Sequence, residues 1–443
     1  MNSKGSEWRR WDLHLHTSSS YDYKYKAGDA DSTLIQVLTD NEIAAVAITD
    51  HFIIDAKHIQ KLREMASDIV FFPGVELRTD KGDTNIHVIL IFSNETDLKI
   101  LEEDFNVFKR QKAINISDDE KIYWDFKDIV TFATEHKALI SIHAGSKSSG
   151  VDDKISNALS INQAIKEEYA QYVHFFEMGR LKDLDEYRRF VFPNIEEKPM
   201  IICSDNHDPR KYNPREALWI KADITFEGLR QCLYQPEERV YVGTIPPALD
   251  RARKNEKLNI ANISVTKVET PKNIMENWFD ANLNLNSGLV AVIGNKGSGK
   301  SAFSDIVGHL CKCSTMGKAS FLNTTRFRKM PKNYAGDYVA SITWSDGHTE
   351  SALLSNCNYQ TTIEDAQYLP QKYIEDVCND IDNEFQNEIN KVIFSYVDYT
   401  ERGNAKNLDE LVENKAKVVC LTIEKIQEEI SSINKKIIGL EDR

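Results

Sequence analysis

Short apolar runs that end in histidine or a carboxylate are the strongest constraint on the first half of this sequence. The runs lie at 43–49, 69–76, 86–92, 138–143, 172–179 and 199–207. Amphipathic stretches such as 32–41 and 97–110 separate them. Strands that alternate with helical patterns predict βαβ units and a largely parallel sheet. Six or seven such units could close into a (β/α) barrel, in which chemistry collects at the carboxyl ends of the strands.

Residue types that bind metals are concentrated in and beside these runs. In "WDLHLHT", His14 and His16 are two residues apart, so a strand would place both imidazoles on one side. A single histidine at a strand end is more often a packed or rim residue than a ligand, but many together predict a metal site. The candidates are His14, His16, Asp22, His51, Glu76, His87, His143, Asp205 and His207. Only His87 lies near the start of its run.

The motifs "DLHLHT", "ITDH", "GVE", "ISIHAG" and "SDNH", in this order between residues 12 and 207, resemble those of the PHP (polymerase and histidinol phosphatase) family of metal-dependent phosphoesterases. The resemblance implies a distorted (β/α)7 barrel with two or three metal ions, all nine candidates as ligands, and Glu76 as a bridge. Where the family has "SDG", this chain has "SYDY", so Tyr21 is extra and Asp22 departs most from the pattern. Asp12 and Asp50 are expected to orient histidine ligands.

The ligand types indicate the chemistry. Histidine and carboxylate without cysteine suit Zn²⁺, Mn²⁺ or Fe²⁺. Such ions activate water and stabilise a leaving oxygen, so we expect hydrolytic cleavage of a phosphoester. The residues expected to carry the catalysis are His14, His16, His51, Glu76, His143, Asp205 and His207.

A glycine-rich motif in the second half predicts a nucleotide site. An apolar strand at Leu289–Ile293 should lead into the GxxxxGKS pattern and then a helix, whose backbone N–H groups would cradle phosphates. Lys300 would reach the β- and γ-phosphates of ATP, and Ser301 would hold Mg²⁺. The motif comprises Gly294, Asn295, Lys296, Gly297, Ser298, Gly299, Lys300 and Ser301.

Two later features indicate the kind of ATPase. In "YLPQK", a short strand is expected to end on Gln371, which resembles the Q-loop of ABC- and SMC-type ATPases. The tail has apolar residues at alternating spacings of four and three, which predicts a coiled coil, with an amphipathic helix packed on its own domain as the alternative. These positions are Val412, Ala416, Val419, Ile423, Ile426, Ile430, Ile433, Ile437 and Leu440.

These motifs together suggest a PHP domain at 1–245, a linker at 246–262, the N-terminal lobe of an SMC/ABC-type P-loop ATPase head at 263–407 and the start of a coiled coil at 408–443. This combination resembles the TrlF-like family of fused bacterial ATPases. No LSGGQ-like signature follows the P-loop, so we expect the N-terminal portion of a longer protein, which on its own binds and hydrolyses ATP weakly. We expect the full-length protein to form a homodimer or a higher homo-oligomer through head and coiled coil.

The leading functional hypothesis is an ATP-regulated metallonuclease acting on DNA or tRNA, with a role in anti-phage defence implied by the resemblance. The alternatives are a small-molecule or nucleotide phosphatase with an SMC-like regulatory head, and a non-enzymatic DNA-tethering ATPase. Candidate phosphate-binding patches lie at 324–332 and at 208–215, where Arg210, Lys211 and Arg215 follow His207. A solvated charged loop is the alternative for both.

Composition and charge limit the binding partners and the cellular location that we expect. The formal net charge of −14 argues against a surface that is basic throughout, so any nucleic acid must be bound by local patches of lysine and arginine. The seven cysteines include no CxxC pair, which is typical of reduced thiols. No apolar run is long enough for a signal peptide or a membrane span, so we expect a cytoplasmic protein without membrane contact.

Overall fold

The computed structural model describes residues 4–79, 86–154, 167–214, 216–357, 366–379 and 385–441. The chain divides into two compact units. The first consists of Met1–Ala261, Leu283–Val290 and Trp344–His348. The second consists of Asn262–Asn282, Ala291–Thr343 and Thr349–Arg443.

A nine-stranded sheet, counted over the described residues, forms the centre of the first unit. Its strands are β1 (Glu7–Leu15), β2 (Ile43–Ile48), β3 (Val70–Thr79), β4 (Ile86–Ile91), β5 (Leu139–Ala144), β6 (Phe175–Met178), β7 (Met200–Ile201), β8 (Leu218–Ala222) and β9 (Val240–Val242). They are ordered β7-β6-β5-β4-β3-β2-β1-β8-β9. The edge strands β7 and β9 contact each other. The sheet is therefore a nearly closed barrel, as the alternating pattern predicted.

Strand direction differs in part from the prediction of a largely parallel sheet. Four neighbouring pairs are parallel, namely β1 with β2, β2 with β3, β5 with β6 and β6 with β7. Strand β4 runs antiparallel to both β3 and β5, and β8 runs antiparallel to β1 and β9. The start of β4 therefore lies at the same edge as the carboxyl ends of β3 and β5. This reversal explains why His87, alone among the candidate histidines, precedes its apolar run.

Helices cover the sheet of the first unit. They are α1 (Ala30–Asp40), α2 (Ala56–Met65), α3 (Leu98–Lys112), α4 (Phe126–Glu135), α5 (Val151–Lys154), α6 (Lys182–Phe190), α7 (Phe226–Gln231), α8 (Pro236–Arg239) and α9 (Pro247–Lys254). The stretches expected to be helical at 32–41 and 97–110 form α1 and α3. Asp55 and Asp97 cap α2 and α3 by accepting backbone N–H groups of the first turn.

Side-chain alternation along the strands divides the apolar core of the first unit into two clusters. On β2, Val46 and Ile48 pack with residues of α1 to α4, such as Leu38. Ala45 and Ala47 instead join a second cluster with Trp11 of β1. The period of two is that of a strand with both faces buried. The sheet can therefore hold its strand ends in place from both sides.

A buried carboxylate joins the loops that follow β5 and β6. Asp183 accepts hydrogen bonds from the backbone N–H groups of Ser146 (2.9 Å), Gly179 (3.1 Å) and Arg180 (3.2 Å), and from the Ser146 hydroxyl (2.7 Å). Its side chain is almost fully buried. Hydrogen bonds to a charged group are worth about 1.5–3 kcal/mol each, and a donor left buried without a partner costs more.

We predict that Asp183→Asn destabilises this part of the first unit by about 2–4 kcal/mol, because the amide removes the charge and presents a donor to other donors. Asp185→Asn, on the exposed side of the same helix, should change stability by less than about 0.5 kcal/mol. Hydrogen–deuterium exchange over 139–154 and 175–190 measures both. Equal protection in the two variants would contradict the role assigned to Asp183.

The second sheet, also counted over the described residues, has four strands. They are β10 (Ile260–Lys267), β11 (Ala281–Asn284), β12 (Tyr338–Trp344) and β13 (Thr349–Leu353), in the order β11-β10-β12-β13. The later helices are α10 (Lys300–Leu310), α11 (Gln371–Asn379), α12 (Gln386–Tyr396), α13 (Tyr399–Arg402) and α14 (Leu408–Glu441). Short 3-10 turns lie at Phe192–Asn194, Pro209–Lys211, Glu256–Leu258, Ser314–Lys318 and Tyr334–Asp337. No described helix is both long enough and apolar enough to cross a bilayer.

Two strands expected in the second half are absent from the described residues. Leu289–Ile293 is not a strand, since no neighbouring strand pairs with it, and Leu289 is 96% and Ile293 89% exposed. The residues before Gln371 are also irregular, and Gln371 begins helix α11 instead of ending a strand. A hydrogen bond from its amide to Glu375, one turn later, supports the helix (2.8 Å).

The tail is a single helix of 34 residues, α14. The side chains expected at coiled-coil positions are exposed: Ile423 is 48%, Ile430 53% and Ile437 46% exposed. The structure therefore does not support the alternative of a helix packed on its own domain. Pairing of this face with another helix stays a prediction.

Candidate metal centre

Among the described residues of the first unit, four groups of side chains each place three or four ligand atoms within 4.8 Å of one another. The groups are His14–His16–Glu76–Asp205, Glu76–His87–His143, His16–Asp22–His51–His207 and His14–His143–Glu177. They contain all nine residues implied by the family resemblance. They also contain Glu177, which the sequence analysis did not assign.

Glu76 lies where these groups meet. Its Oε2 atom is 3.0 Å from Nε2 of His14 and 3.2 Å from Nε2 of His16. The same oxygen lies 3.4 Å from Nδ1 of His51. The carboxylate is buried, and burial by itself would raise its pKa. The charges of the surrounding imidazoles hold the pKa of Glu76 well below its usual range.

The other oxygen of Glu76 faces the reversed strand. Oε1 contacts Nδ1 of His87 and lies 3.9 Å from Nε2 of His143. His87 reaches it from the start of β4, and His143 from the end of β5. Each oxygen of Glu76 thus faces its own pair of imidazoles, so the carboxylate could bridge two metal ions.

Asp22 joins the outer group despite the extra residue before it. Its Oδ2 atom lies 2.9 Å from Nε2 of His207 and 3.4 Å from Nε2 of His51. Tyr21 packs beside this group: its ring centroid lies 5.5 Å from that of His51, and it stacks on Phe52 with centroids 5.9 Å apart and planes 14° apart. The departure from the family pattern therefore leaves Asp22 beside the histidines. Burial would raise the pKa of Asp22, but hydrogen bonds from His207 and His51 lower it.

Glu177 at the end of β6 determines which nitrogen of His14 is protonated. Its Oε2 atom is 2.8 Å from Nδ1 of His14. Burial would raise the pKa of Glu177, but the charges of His14 and Lys147 lower it to about 2, so the carboxylate only accepts. His14 must therefore donate from Nδ1, which leaves Nε2, 3.0 Å from Oε2 of Glu76, as the nitrogen that could bind a metal ion. The signal that sequence reasoning missed is that Glu177 ends an apolar run, as Glu76 does.

Lys147 is the second residue that the sequence analysis missed. Its Nζ lies 2.8 Å from Oε1 of Glu177 and 2.9 Å from Oδ2 of Asp205. It follows β5 in the loop that Asp183 holds, and no spacing rule marks a loop lysine of this kind.

Asp205 has a left-handed backbone, with φ of 49°, which L-residues adopt at some cost. Its carboxylate oxygen Oδ1 lies 3.4 Å from Nε2 of His16.

Asp12 and Asp50 do not orient histidine rings as expected. Asp12 accepts hydrogen bonds from the Ser204 backbone N–H (3.1 Å) and the Tyr212 hydroxyl (2.9 Å). Asp50 accepts two from Thr17, one from its backbone N–H and one from its hydroxyl, both at 2.6 Å. Both carboxylates thus hold the backbone of the strand ends on which ligands lie.

The donor set fits divalent metal ions. The Nε2 atoms of His14 and His16 are 3.1 Å apart and face the same carboxylates. Nδ1 of His51, which lies 3.4 Å from Oε2 of Glu76, is buried and has no hydrogen-bond partner among the described residues. Buried polar atoms rarely lack a partner in native proteins. Because imidazole and carboxylate together are ligands of Zn²⁺, Mn²⁺ and Fe²⁺, metal binding accounts for this concentration of lone pairs.

The two predicted phosphate-binding patches are less available than their sequences indicated. In the patch at 208–215, the guanidinium of Arg210 donates to the carboxylate of Asp208 from Nε (2.9 Å) and Nη2 (2.8 Å). Lys211 is exposed, and Arg215 lies outside the described residues. In the patch at 324–332, Arg328 is buried and its Nε donates to the carbonyl of Leu354 at 2.7 Å, whereas Arg326 and Lys329 are exposed.

The P-loop motif is a turn that leads into helix α10. Gly294, Gly297 and Gly299 have φ values of 155°, 87° and 93°, which side chains disfavour. Nζ of Lys300 donates to the carbonyls of Gly294 (2.8 Å) and Asn295 (2.9 Å). Ser301 lies in the first helical turn. The loop-to-helix part of the expected motif is therefore present, without its preceding strand.

No protein-family model and no curated protein matches the sequence. Among solved structures, a protein described as a metal-dependent phosphoesterase, from Bifidobacterium adolescentis, is 12% identical over 52% of this chain and 97% of its own, with a TM-score of 0.36. An amidohydrolase from Chromobacterium violaceum is 16% identical over 53% and 98%, with a TM-score of 0.32. PsfC from Pseudomonas syringae is 17% identical over 48% and 82%, with a TM-score of 0.31. At these scores, the chemistry of the site rests on its own side chains.

We predict opposite pH dependences of stability with and without metal. Burial alone would lower the pKa of His16, but hydrogen bonds to Asp205 and Glu76 raise it to about 9 in the metal-free protein. A raised pKa contributes stability below the unfolded value of 6.5, and this is lost as pH rises towards 9. The metal-free protein should thus lose up to about 3 kcal/mol over that window.

Metal ions replace these protons and bind more tightly as the imidazoles deprotonate, so the Zn²⁺-loaded protein should be at least as stable at pH 9 as at pH 6.5. Thermal unfolding midpoints at both pH values, with and without chelator, measure the difference. The same pH dependence in both preparations would contradict metal binding at this cluster.

Proposed function

We propose that the first unit is a metal-dependent phosphoesterase. The observation that carries the proposal is the buried Glu76 carboxylate with five imidazoles around it, those of His14, His16, His51, His87 and His143. A structural carboxylate needs one or two partners, whereas five histidines beside one buried acid indicate ligands. Asp22, Asp205 and His207 complete the ligand set proposed from the sequence.

Divalent ions held there would supply Lewis acidity and an activated water molecule, which are the requirements of phosphoester hydrolysis. The chain's own groups orient the ligands. Glu177 keeps the proton of His14 on Nδ1, and the Ser148 carbonyl accepts from Nδ1 of His143 at 2.9 Å. Both imidazoles therefore present Nε2 to the centre, with their tautomers fixed.

For the finer function we propose a nuclease acting on DNA or RNA, regulated by ATP at the P-loop of the second unit. The support is the resemblance of the sequence to fused PHP–ATPase proteins and the loop-to-helix geometry at Lys300. An anti-phage role, self-association and cytoplasmic location are proposals with the same basis.

A small-molecule or nucleotide phosphatase is the second candidate, and one observation favours it. Two arginines of the candidate patches are engaged within the protein, Arg210 with Asp208 and Arg328 with the backbone carbonyl of Leu354. A nuclease needs several free cations to bind phosphates along a strand. An enzyme that binds a compact phosphorylated substrate does not need such a row of free cations.

We predict that cleavage and ATP binding can be separated by mutation. Asp205→Asn should lower hydrolysis on the order of 10²–10³-fold, the loss typical of removing a group that stabilises a transition state, and leave ATP binding unchanged. Lys300→Ala should remove ATP binding, because it deletes the charge that faces the phosphates, and leave metal-dependent hydrolysis of a small aryl phosphate unchanged. Asp185→Asn and Lys417→Ala, both exposed, are matched controls.

Hydrolysis is measured with Mn²⁺ on DNA, RNA, nucleotide and aryl phosphate panels, and binding with a fluorescent ATP analogue. Cleavage of nucleotides but not of DNA or RNA would decide for the phosphatase. Full hydrolysis by Asp205→Asn would show that the chemistry lies elsewhere.

A further inference from the structure

We propose that the ammonium group of Lys147 takes the place of a metal ion at the Glu177 corner of the centre and so limits how many ions the centre binds. The inference rests on the proposed metal centre and goes beyond it, because it concerns a residue outside the expected ligand set. Lys147 acts here as a positioning residue: its positive charge occupies the position beside Glu177 and so keeps a metal ion from binding to the group formed by His14, His143 and Glu177.

The position of the ammonium group is that of a cation between two carboxylates. Nζ lies 2.8 Å from Oε1 of Glu177 and 2.9 Å from Oδ2 of Asp205, and the Lys147 side chain is 13% exposed. A lysine this buried needs charged partners, and these two supply them. The charge of Glu177 that would attract a divalent ion is therefore already balanced.

The nitrogen atoms of the histidines give an independent reason. In the group formed by His14, His143 and Glu177, the nearest nitrogen of His14 to the carboxylate is Nδ1, at 2.8 Å. That nitrogen carries a proton, because it donates to Glu177. The other nitrogen, Nε2, lies 3.0 Å from Oε2 of Glu76 and is therefore the one that can offer a lone pair to a metal ion. A neutral imidazole has one lone pair, so His14 cannot serve a metal ion on both sides.

The loop that carries Lys147 is held firmly enough to keep the ammonium there. The backbone N–H of Lys147 donates to the carbonyl of Ala144 at 3.1 Å, and Ser146 donates twice to the buried Asp183. The N–H of Gly145 donates to Asp152 at 2.7 Å. Lys147 therefore leaves a fixed turn directly after β5, with its side chain directed towards Glu177 and Asp205.

Removing the cation should open this corner to metal. A neutral side chain at position 147 leaves Oε1 of Glu177 and Oδ2 of Asp205 facing the same space without a counter-charge. Carboxylate oxygens are ligands of Mn²⁺, so the vacated space becomes a binding position. Arginine, in contrast, keeps the positive charge and can bind two carboxylates.

The test is Mn²⁺ titration of the whole chain followed by elemental analysis after gel filtration. At saturating Mn²⁺, Lys147→Gln should bind about one more ion per chain than the wild type, since a metal site forms when its ligands lose their competing cation. Lys147→Arg and Lys127→Gln, an exposed lysine of α4, should bind the wild-type number. An unchanged or lower number in Lys147→Gln would overturn the inference.

Glu177→Gln is a second test that leaves Lys147 in place. If Glu177 is not a metal ligand, this variant binds the wild-type number of Mn²⁺ ions at saturation, although more weakly because His14 loses its partner. Loss of an ion in Glu177→Gln would overturn the inference even if Lys147→Gln did not fold. A wild-type chain that binds no Mn²⁺ would instead contradict the proposed metal centre itself, so the two failures are distinguishable.

Discussion

The arrangement of the first unit depends on one buried carboxylate, that of Glu76. Burying a charge is costly unless partners compensate it, and imidazoles from four other strands or their ends contact this one. These contacts require β3 to lie between these strands, and they require the ligand-bearing end of each strand to lie at one edge of the sheet. The barrel satisfies this requirement, because its sheet brings β1, β2, β4 and β5 around β3. The same strand order that forms the barrel therefore also places the histidines around Glu76.

The reversal of β4 shows what sequence reasoning could and could not provide. Apolar runs that end in ligand-type residues were enough to predict the strands, the barrel-like sheet and the edge at which the candidates meet, because strand ends of one direction share an edge. The direction of β4 was not predictable, since an apolar run reads alike in both directions. His87 near the start of its run was the one residue whose position indicated the reversal.

Glu177 and Lys147 show the other limit. Glu177 ends an apolar run, as Glu76 does, and was open to prediction. Lys147 lies in a loop, and its position depends on Asp183, which is 36 residues further along the chain, so that only the folded structure brings the two together.

In the second half, the apolar residues Leu289–Ile293 suggested a strand, but strands form by pairing and no partner is present among the described residues. A glycine pattern alone carried the loop-to-helix prediction at Lys300.

The central proposal is that Glu76 would hold a divalent metal ion at each of its two oxygens. Anomalous X-ray diffraction from crystals of the Mn²⁺-loaded protein, recorded above and below the manganese absorption edge, tests it most directly. The account predicts anomalous peaks on both sides of the Glu76 carboxylate, one beside His14 and His16 and one beside His87 and His143, and no peak at the ammonium of Lys147. Peaks elsewhere with none beside Glu76 would contradict it.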